Sequence, residues 1–201
     1  MDKYPECFEE LIEFFKSFPG VGRRSAERMA FAMIKWPSDK ISEASRILSN
    51  LNLSVGTCPE CGNLSEKNSL CLICSDSQRD RSIICVVEDI PQMHSIEKCK
   101  TYKGLYHILH GKIIPLDGKH IDNEPIESLK KRIEAGNVSE IVMALSMDIE
   151  GQATAIYLSD IFKSRGLKIS RIARGIPAGS DISFADSATI SAALNGRTKL
   201  D

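Results

Sequence analysis

The sequence predicts an α/β chain of several parts: an N-terminal helical hairpin, a small metal-bound segment, an α/β module with a parallel sheet, and a C-terminal helix. Three observations carry this reading. The run "SIICVVE" at Ser82–Glu88 is continuously apolar and rich in β-branched residues, as suits a strand buried on both faces of a parallel sheet. After it, strand-like and helix-like segments alternate over about ninety residues, the pattern of an α/β layer. Before it lie two Cys-x-x-Cys pairs, "CPEC" and "CLIC", in a stretch too polar to build a core of its own.

The elements follow in order. Residues 7–18, "CFEELIEFFKSF", set Phe8, Leu11, Ile12, Phe15 and Phe18 at helical spacing, and Pro19-Gly20 ends that helix. A second helix is expected from near Ser25, a suitable cap, to about Lys35, closed by Trp36-Pro37. A third, near Ser42–Leu51, carries Ala44, Ile47, Leu48 and Leu51. In the α/β module, helices are expected near 92–100, 124–135 and 152–165, and strands near 105–109, 140–145 and 168–172. The last helix should run from about Ala185 to Leu194, with Asn195-Gly196 as its stop. This divides the chain into residues 1–53, 54–80, 81–175 and 176–201.

The 201 residues are 42% hydrophobic and 26% charged, with a net charge of −1, an ordinary globular composition. No apolar run approaches the ~18 residues of a membrane span, and the early acids Asp2, Glu6, Glu9 and Glu10 do not read as a secretory leader. A cytoplasmic protein is expected. The near-neutral total hides two basic stretches. Residues 16–35 hold Lys16, Arg23, Arg24, Arg28 and Lys35 against Glu27 alone, and residues 163–174 hold Lys163, Arg165, Lys168, Arg171 and Arg174 with no acid. Such stretches can focus a positive field, and charge alone leaves open whether they bind anything or are solvated faces.

The bend "FPGVGRRSAER" gives the first stretch a chemistry. Glycines permit backbone angles closed to other residues and let a ligand approach. A second helix opening just after Gly22 would present free N–H groups, an anion site by construction. Arg23 and Arg24 flank that opening, and Arg28 lies one turn beyond Arg24. Phe-Pro-Gly-Val-Gly between amphipathic helices resembles a helix-hairpin-helix, which grips the DNA backbone without reading bases. The alternative is a plain helical turn with solvated arginines. A dinucleotide site fits less well, because its glycines should follow a strand.

Cys58, Cys61, Cys71 and Cys74 form two tight pairs with nine residues between them. Each loop aims two thiolates at one ion, and two loops complete a tetrahedral S₄ site for Zn²⁺, with iron as the competitor. Four protein ligands leave no open position, so the metal is expected to be structural. Cys7, Cys85 and Cys99 lie apart and are expected to pack in the core or to lie inert on the surface. Glu88 and Asp89 follow the first sheet strand, and Asp148 and Glu150 follow "EIVMAL". Strand C-termini of a parallel sheet converge where ligands bind, so these four acids could hold Mg²⁺. They could equally cap the helices that follow.

Taken together, the hairpin, the four cysteines, "ICVVED", "DIEGQATAIYL" and above all "ISRIARGIPAGSDISFADSATISAALNGR" resemble the RecR family of bacterial recombination proteins, in the expected order over essentially the whole chain. The resemblance implies a Toprim fold for the α/β module and a recombination mediator: a ring tetramer able to encircle DNA, working with RecO and RecF to place the RecA recombinase on SSB-coated strands during DNA repair. It implies DNA contacts at Arg24 and Arg28 with Arg23 beside them, zinc at the four paired cysteines, and Toprim acids at Glu88 and Glu150. One loop departs from the family. Where Asn-Pro-Thr-Val-Glu-Gly-Glu is common, this chain reads Ser146-Met-Asp148-Ile-Glu150-Gly-Gln152. A small Mg²⁺-dependent Toprim nuclease and a zinc-dependent protein-interaction module are the rival readings. A topoisomerase or polymerising primase would need more chain than 201 residues provide, and no phosphate-binding Gly-Lys-Ser/Thr motif marks an ATPase.

Overall fold

The computed structural model describes residues 4–113, 123–136, 138–163 and 166–199. The chain divides into two compact units, Met1–Ser54 and Val55–Asp201.

In the first unit α1 (Glu6–Lys16), α2 (Arg23–Met33) and α3 (Ser38–Ser54) follow one another. Apolar residues spaced three and four apart bury one side of α1 against α2. Phe8 and Ile12 meet Ala26 and Ala30, with Tyr4, Leu11, Phe15 and Val21 around them. The two alanines, four residues apart on one face, let the helices approach closely, and Tyr4, Phe8 and Phe31 close the edge with ring centroids 4.9–5.6 Å apart. Helix α2 starts at Arg23 with Gly22 as its cap residue, so Ser25 lies inside the helix rather than capping it. Gly20 has φ +78°, a left-handed turn that glycine makes without steric cost, and it reverses the chain between α1 and α2. Helix α3 begins earlier than its pattern suggests and buries no residue in this unit. Its Ile47, Leu48 and Leu51 are 52%, 58% and 51% exposed.

The second unit opens with an antiparallel pair, β1 (Val55–Thr57) and β2 (Leu64–Glu66), followed by a single helical turn, α4 (Leu72–Ser75). The sheet that follows has the order β4-β3-β5-β6 and every pairing is parallel. Its strands are β3 (Asp80–Val87), β4 (Gly104–Ile108), β5 (Glu140–Met143) and β6 (Lys168–Arg171), joined through α5 (Ile90–Lys98), α6 (Asn123–Ala135) and α7 (Ile149–Phe162). The apolar run of β3 is explained by burial of both faces. Ile84 and Val86 pack with Leu129, Ile133, Leu158 and Phe162 of α6 and α7. Cys85 and Val87 pack with Met93 of α5 and with Tyr106 and Ile108. Burial pushes the Cys85 thiol up to about 12, while Cys7 and Cys99 are exposed. The final helix, α8 (Ser187–Asn195), is capped by Asp186 rather than starting at Ala185.

The connection from β3 to β4 goes to one side of β3, and the next crossover returns to β5 on the other side. The C-terminal end of β3 therefore sits at a topological switch point, the usual ligand crevice of such sheets.

His107 of β4 is 2% exposed. Its Nε2 lies 2.8 Å from the Pro125 carbonyl oxygen, to which it donates, and Nδ1 makes no hydrogen bond among the described residues. Burial lowers its pKa from 6.5 to about 4. The unfolded chain then binds the proton first as pH falls, so the stability of this unit is full above pH 6.5 and declines towards pH 4. The loss attributable to this one group is on the order of 3 kcal/mol. Urea unfolding of His107→Gln, which keeps an amide donor, should show that much less acid destabilisation over this window than the parent chain.

Candidate functional site

At the hairpin, Gly22 brings no side chain to cap α2 and no acid occupies its first turn. Both the helix dipole and the uncapped amides therefore favour an anion there. Gly20 and Gly22 are exposed. The three arginines divide into two roles. Arg23 is engaged by carboxylates: its Nη2 reaches Glu9 at 2.9 Å, its Nε reaches Glu27 at 3.1 Å, and Nη1 lies 3.9 Å from Glu13. Glu27 first and Glu9 next hold its pKa above the ordinary value. It ties α1 to α2, while its side chain stays half-exposed beside the hairpin. Arg24 and Arg28 are exposed and make no ion pair or hydrogen bond among the described residues. Four residues apart, they project from one face of α2.

The second basic stretch is broken up. Lys163 pairs with Asp160 at 2.6 Å and Lys168 with Glu140 at 3.0 Å. Arg165 lies outside the described residues. Arg171 approaches the Met147 sulfur, and neither it nor Arg174 has a carboxylate partner among the described residues.

The paired cysteines meet as their spacing requires. Cys58 follows β1, Cys61 sits in the turn, Cys71 caps α4 and Cys74 lies within it. Their four sulfurs lie within 4.8 Å of one another, all buried, and Cys61 and Cys71 are 3.5 Å apart. A tetrahedral zinc with ~2.3 Å bonds needs sulfurs about 3.8 Å apart, so the donor set fits. Crowded thiols resist ionising together: the hydrogen bond to Cys71 pushes Cys61 up to about 12, and Cys61 and Cys71 push Cys74 up as well. A divalent cation removes that penalty, and this zinc is structural. Backbone bonds register the loop, with Cys58 N–H donating to Asn63 and Gly62 N–H to Cys58. The finger is pinned to the sheet by Ile108 N–H donating to the Cys61 carbonyl at 2.8 Å and by Arg81 donating to the Cys74 carbonyl at 3.0 Å. Arg132 spans the same junction, donating to the Tyr106 carbonyl at 2.6 Å and the Glu60 carbonyl at 3.4 Å.

The four acids reach the sheet edge but not a shared ion. Asp89 caps α5 by accepting from Gln92 N–H at 2.8 Å. Asp148 caps α7 by accepting from Gly151 N–H at 2.7 Å. Glu88 is buried and accepts three hydrogen bonds: Oε1 from Ser146 N–H at 2.6 Å, and Oε2 from Ser146 Oγ at 2.7 Å and Gln92 Nε2 at 2.8 Å. It joins the ends of β3 and β5. Among the described residues only the four cysteines bring three or more ligand atoms together, so the donor set does not fit the Mg²⁺ that a Toprim fold implies. Gly151 is forced by space. A Cβ there would stand 2.3 Å from the Ser146 carbonyl oxygen and 3.0 Å from Glu88 Oε1. The sequence reading missed Lys112, whose Nζ lies 2.6 Å from Asp148, 3.3 Å from Glu150 and 3.9 Å from Glu88. Its signal was available, since it follows β4, whose end abuts the same edge.

Comparison with known families matches every part of the chain. A Toprim domain matches residues 82–173, and the RecR helix-hairpin-helix matches residues 8–51. The RecR zinc finger domain of the four-cysteine type matches residues 55–76, and the RecR C-terminal family matches residues 175–198. Proteins named recombination protein RecR from Staphylococcus aureus strains Mu3, Mu50 and JH9 are each 41% identical over 197 residues, covering 98% of this chain and 99% of theirs. Among the described residues no helix is long and apolar enough to cross a membrane.

Two measurements test these sites. Anaerobically purified protein should carry close to one zinc per chain, and less than about half an equivalent would count against the S₄ site. Gly151→Ala should cost about 1–3 kcal/mol in urea unfolding by forcing Ser146 and Glu88 apart; an unchanged midpoint would mean that the loop yields freely.

Proposed function

The chain belongs to the RecR family of recombination proteins, and from that premise we propose that it is a non-catalytic DNA clamp and loading factor. It holds gapped, single-stranded or double-stranded DNA through the sugar-phosphate backbone. With RecO- and RecF-type partners it helps place RecA on strands coated by SSB, in the cytoplasm at the nucleoid.

The observation that carries this reading is the pair Arg24 and Arg28, exposed and without an ion pair among the described residues, beside the uncapped start of α2. A guanidinium with no internal carboxylate keeps its full charge for an external anion, and arginine's planar fork suits phosphate. Such contacts position a protein on DNA without selecting sequence. Gly20, Gly22 and the first amides of α2 complete the cradle, and Arg23 supports it by holding α1 against α2.

A clamp needs more than one chain. The half-exposed Ile47, Leu48 and Leu51 of α3, together with Phe184 at 87% exposure, give apolar area for subunit contacts. A ring tetramer is the assembly proposed. The zinc segment fixes the middle of each subunit, and the Toprim module is the partner-facing part.

Arg24→Ala/Arg28→Ala should weaken DNA binding and lower the magnitude of the salt slope by about 2 on duplex DNA, one phosphate per arginine. Zinc content should stay unchanged. A slope equal to the parent's would remove the hairpin from the DNA path. Arg23→Ala should instead lower the stability of the N-terminal unit, with little change in slope.

A further inference from the structure

Lys112 reaches three carboxylates at the sheet edge. Its Nζ is 2.6 Å from Asp148 Oδ2, 3.3 Å from Glu150 Oε2 and 3.9 Å from Glu88 Oε2. The side chain is only 24% exposed. Its backbone is anchored on both sides. Before it, His110 turns through φ +55°, a left-handed conformation that histidine tolerates better than most residues. After it, Ile113 N–H donates at 2.9 Å to Oγ1 of Thr154, itself fully buried on α7. The ammonium is therefore delivered to the sheet edge by fixed chain on either side.

We infer that the Lys112 ammonium is the resident cation of this acidic cluster, taking the place of a divalent ion and fastening the segment after β4 to the start of α7. Three lines of chemistry support this. The oxygens of Glu88 and Asp148 are already claimed, by Ser146, Gln92, Gly151 and Lys112 itself. Mg²⁺ demands near-ideal octahedral oxygen geometry and would have to displace those donors. Lysine asks less, because an ammonium is a compact point charge with three rotatable donors. Finally, the contact is made at hydrogen-bond distance, Lys112 Nζ donating to Asp148 Oδ2 at 2.6 Å. The pair also shifts its own titration, Lys112 raising its hold on the proton and Asp148 releasing it more readily, chiefly because of their mutual hydrogen bond.

Removing Lys112 would leave three carboxylates with no cation, a net −3 where −2 stood. That is the charge and ligand type a hard divalent ion seeks. The inference rests on the sheet-edge geometry alone, and it stands or falls independently of DNA binding.

The test uses the zinc-loaded full chain and Mn²⁺ as the probe, read by electron paramagnetic resonance and by thermal melts. The parent protein should show no saturable Mn²⁺ binding through this cluster and no Mn²⁺-dependent rise in Tm. Lys112→Met should gain one Mn²⁺ per chain, at least about tenfold tighter than any binding by the parent. Its lowered Tm should rise on adding Mn²⁺. Asp148→Asn added to Lys112→Met should abolish both gains, and Lys112→Arg should behave as the parent does. A folded Lys112→Met that gains no Mn²⁺ overturns the inference. So does saturable binding by the parent that Glu150→Gln removes. Should Lys112→Met fail to fold with or without Mn²⁺, the parent titration decides between these outcomes by itself.

Discussion

Crowded charges of one sign must be compensated before anything else in this chain can be built. Four thiols gathered in a buried volume cannot all ionise unless a divalent ion joins them, and the zinc that does so replaces the core that so short a segment cannot supply. The same constraint recurs without metal. Arg23 draws Glu9, Glu13 and Glu27 around one guanidinium. Lys112 stands among Glu88, Asp148 and Glu150. In each case the compensated charge becomes a structural tie: finger to itself, α1 to α2, and the segment after β4 to α7.

What is left uncompensated is then informative. Arg24 and Arg28 share a helix with Arg23, yet they keep no partner among the described residues. Two of their neighbour's three ion pairs, to Glu9 and Glu13, tie the helical pair together, while Arg24 lies in the first turn, where the helix dipole is positive, and Arg28 one turn further on. One arginine is held by the fold, and two are left for the external anion that the proposed function assigns to them. The chain's near-zero net charge is compatible with this, because a local field depends on where charges lie and not on their sum.

The parallel sheet imposes a second economy. Because all four strands run one way, every helix that follows a strand begins at the same edge, and each such beginning wants an acid. Asp89 and Asp148 satisfy that need for α5 and α7. Glu88, one residue beyond β3, is instead drawn inward by Ser146 and Gln92 to lock two strand ends together. An acidic sheet edge is therefore partly a by-product of topology. Whether it is also a metal site depends on how many carboxylate oxygens remain unclaimed.

The sequence by itself determined the order of parts, the four-cysteine cluster, the parallel sheet and the helix-hairpin-helix. Each of these rests on local regularity: apolar period, fixed cysteine spacing, or a Pro-Gly turn. The β3 run could be read directly because burial on both faces demands it at every position. Helix starts were misplaced by two to four residues at α2, α3, α5, α7 and α8; at the last three an aspartate side chain caps the helix, and periodicity does not register that geometry. Only the tertiary structure decided which arginine is spent internally, because Glu9 lies fourteen residues from Arg23 and meets it only once two helices pack. Likewise Lys112 and Asp148 are thirty-six residues apart. Sequence spacing can announce a ligand set that one loop supplies, but charge pairing across a sheet edge exists only after the strands have chosen their neighbours.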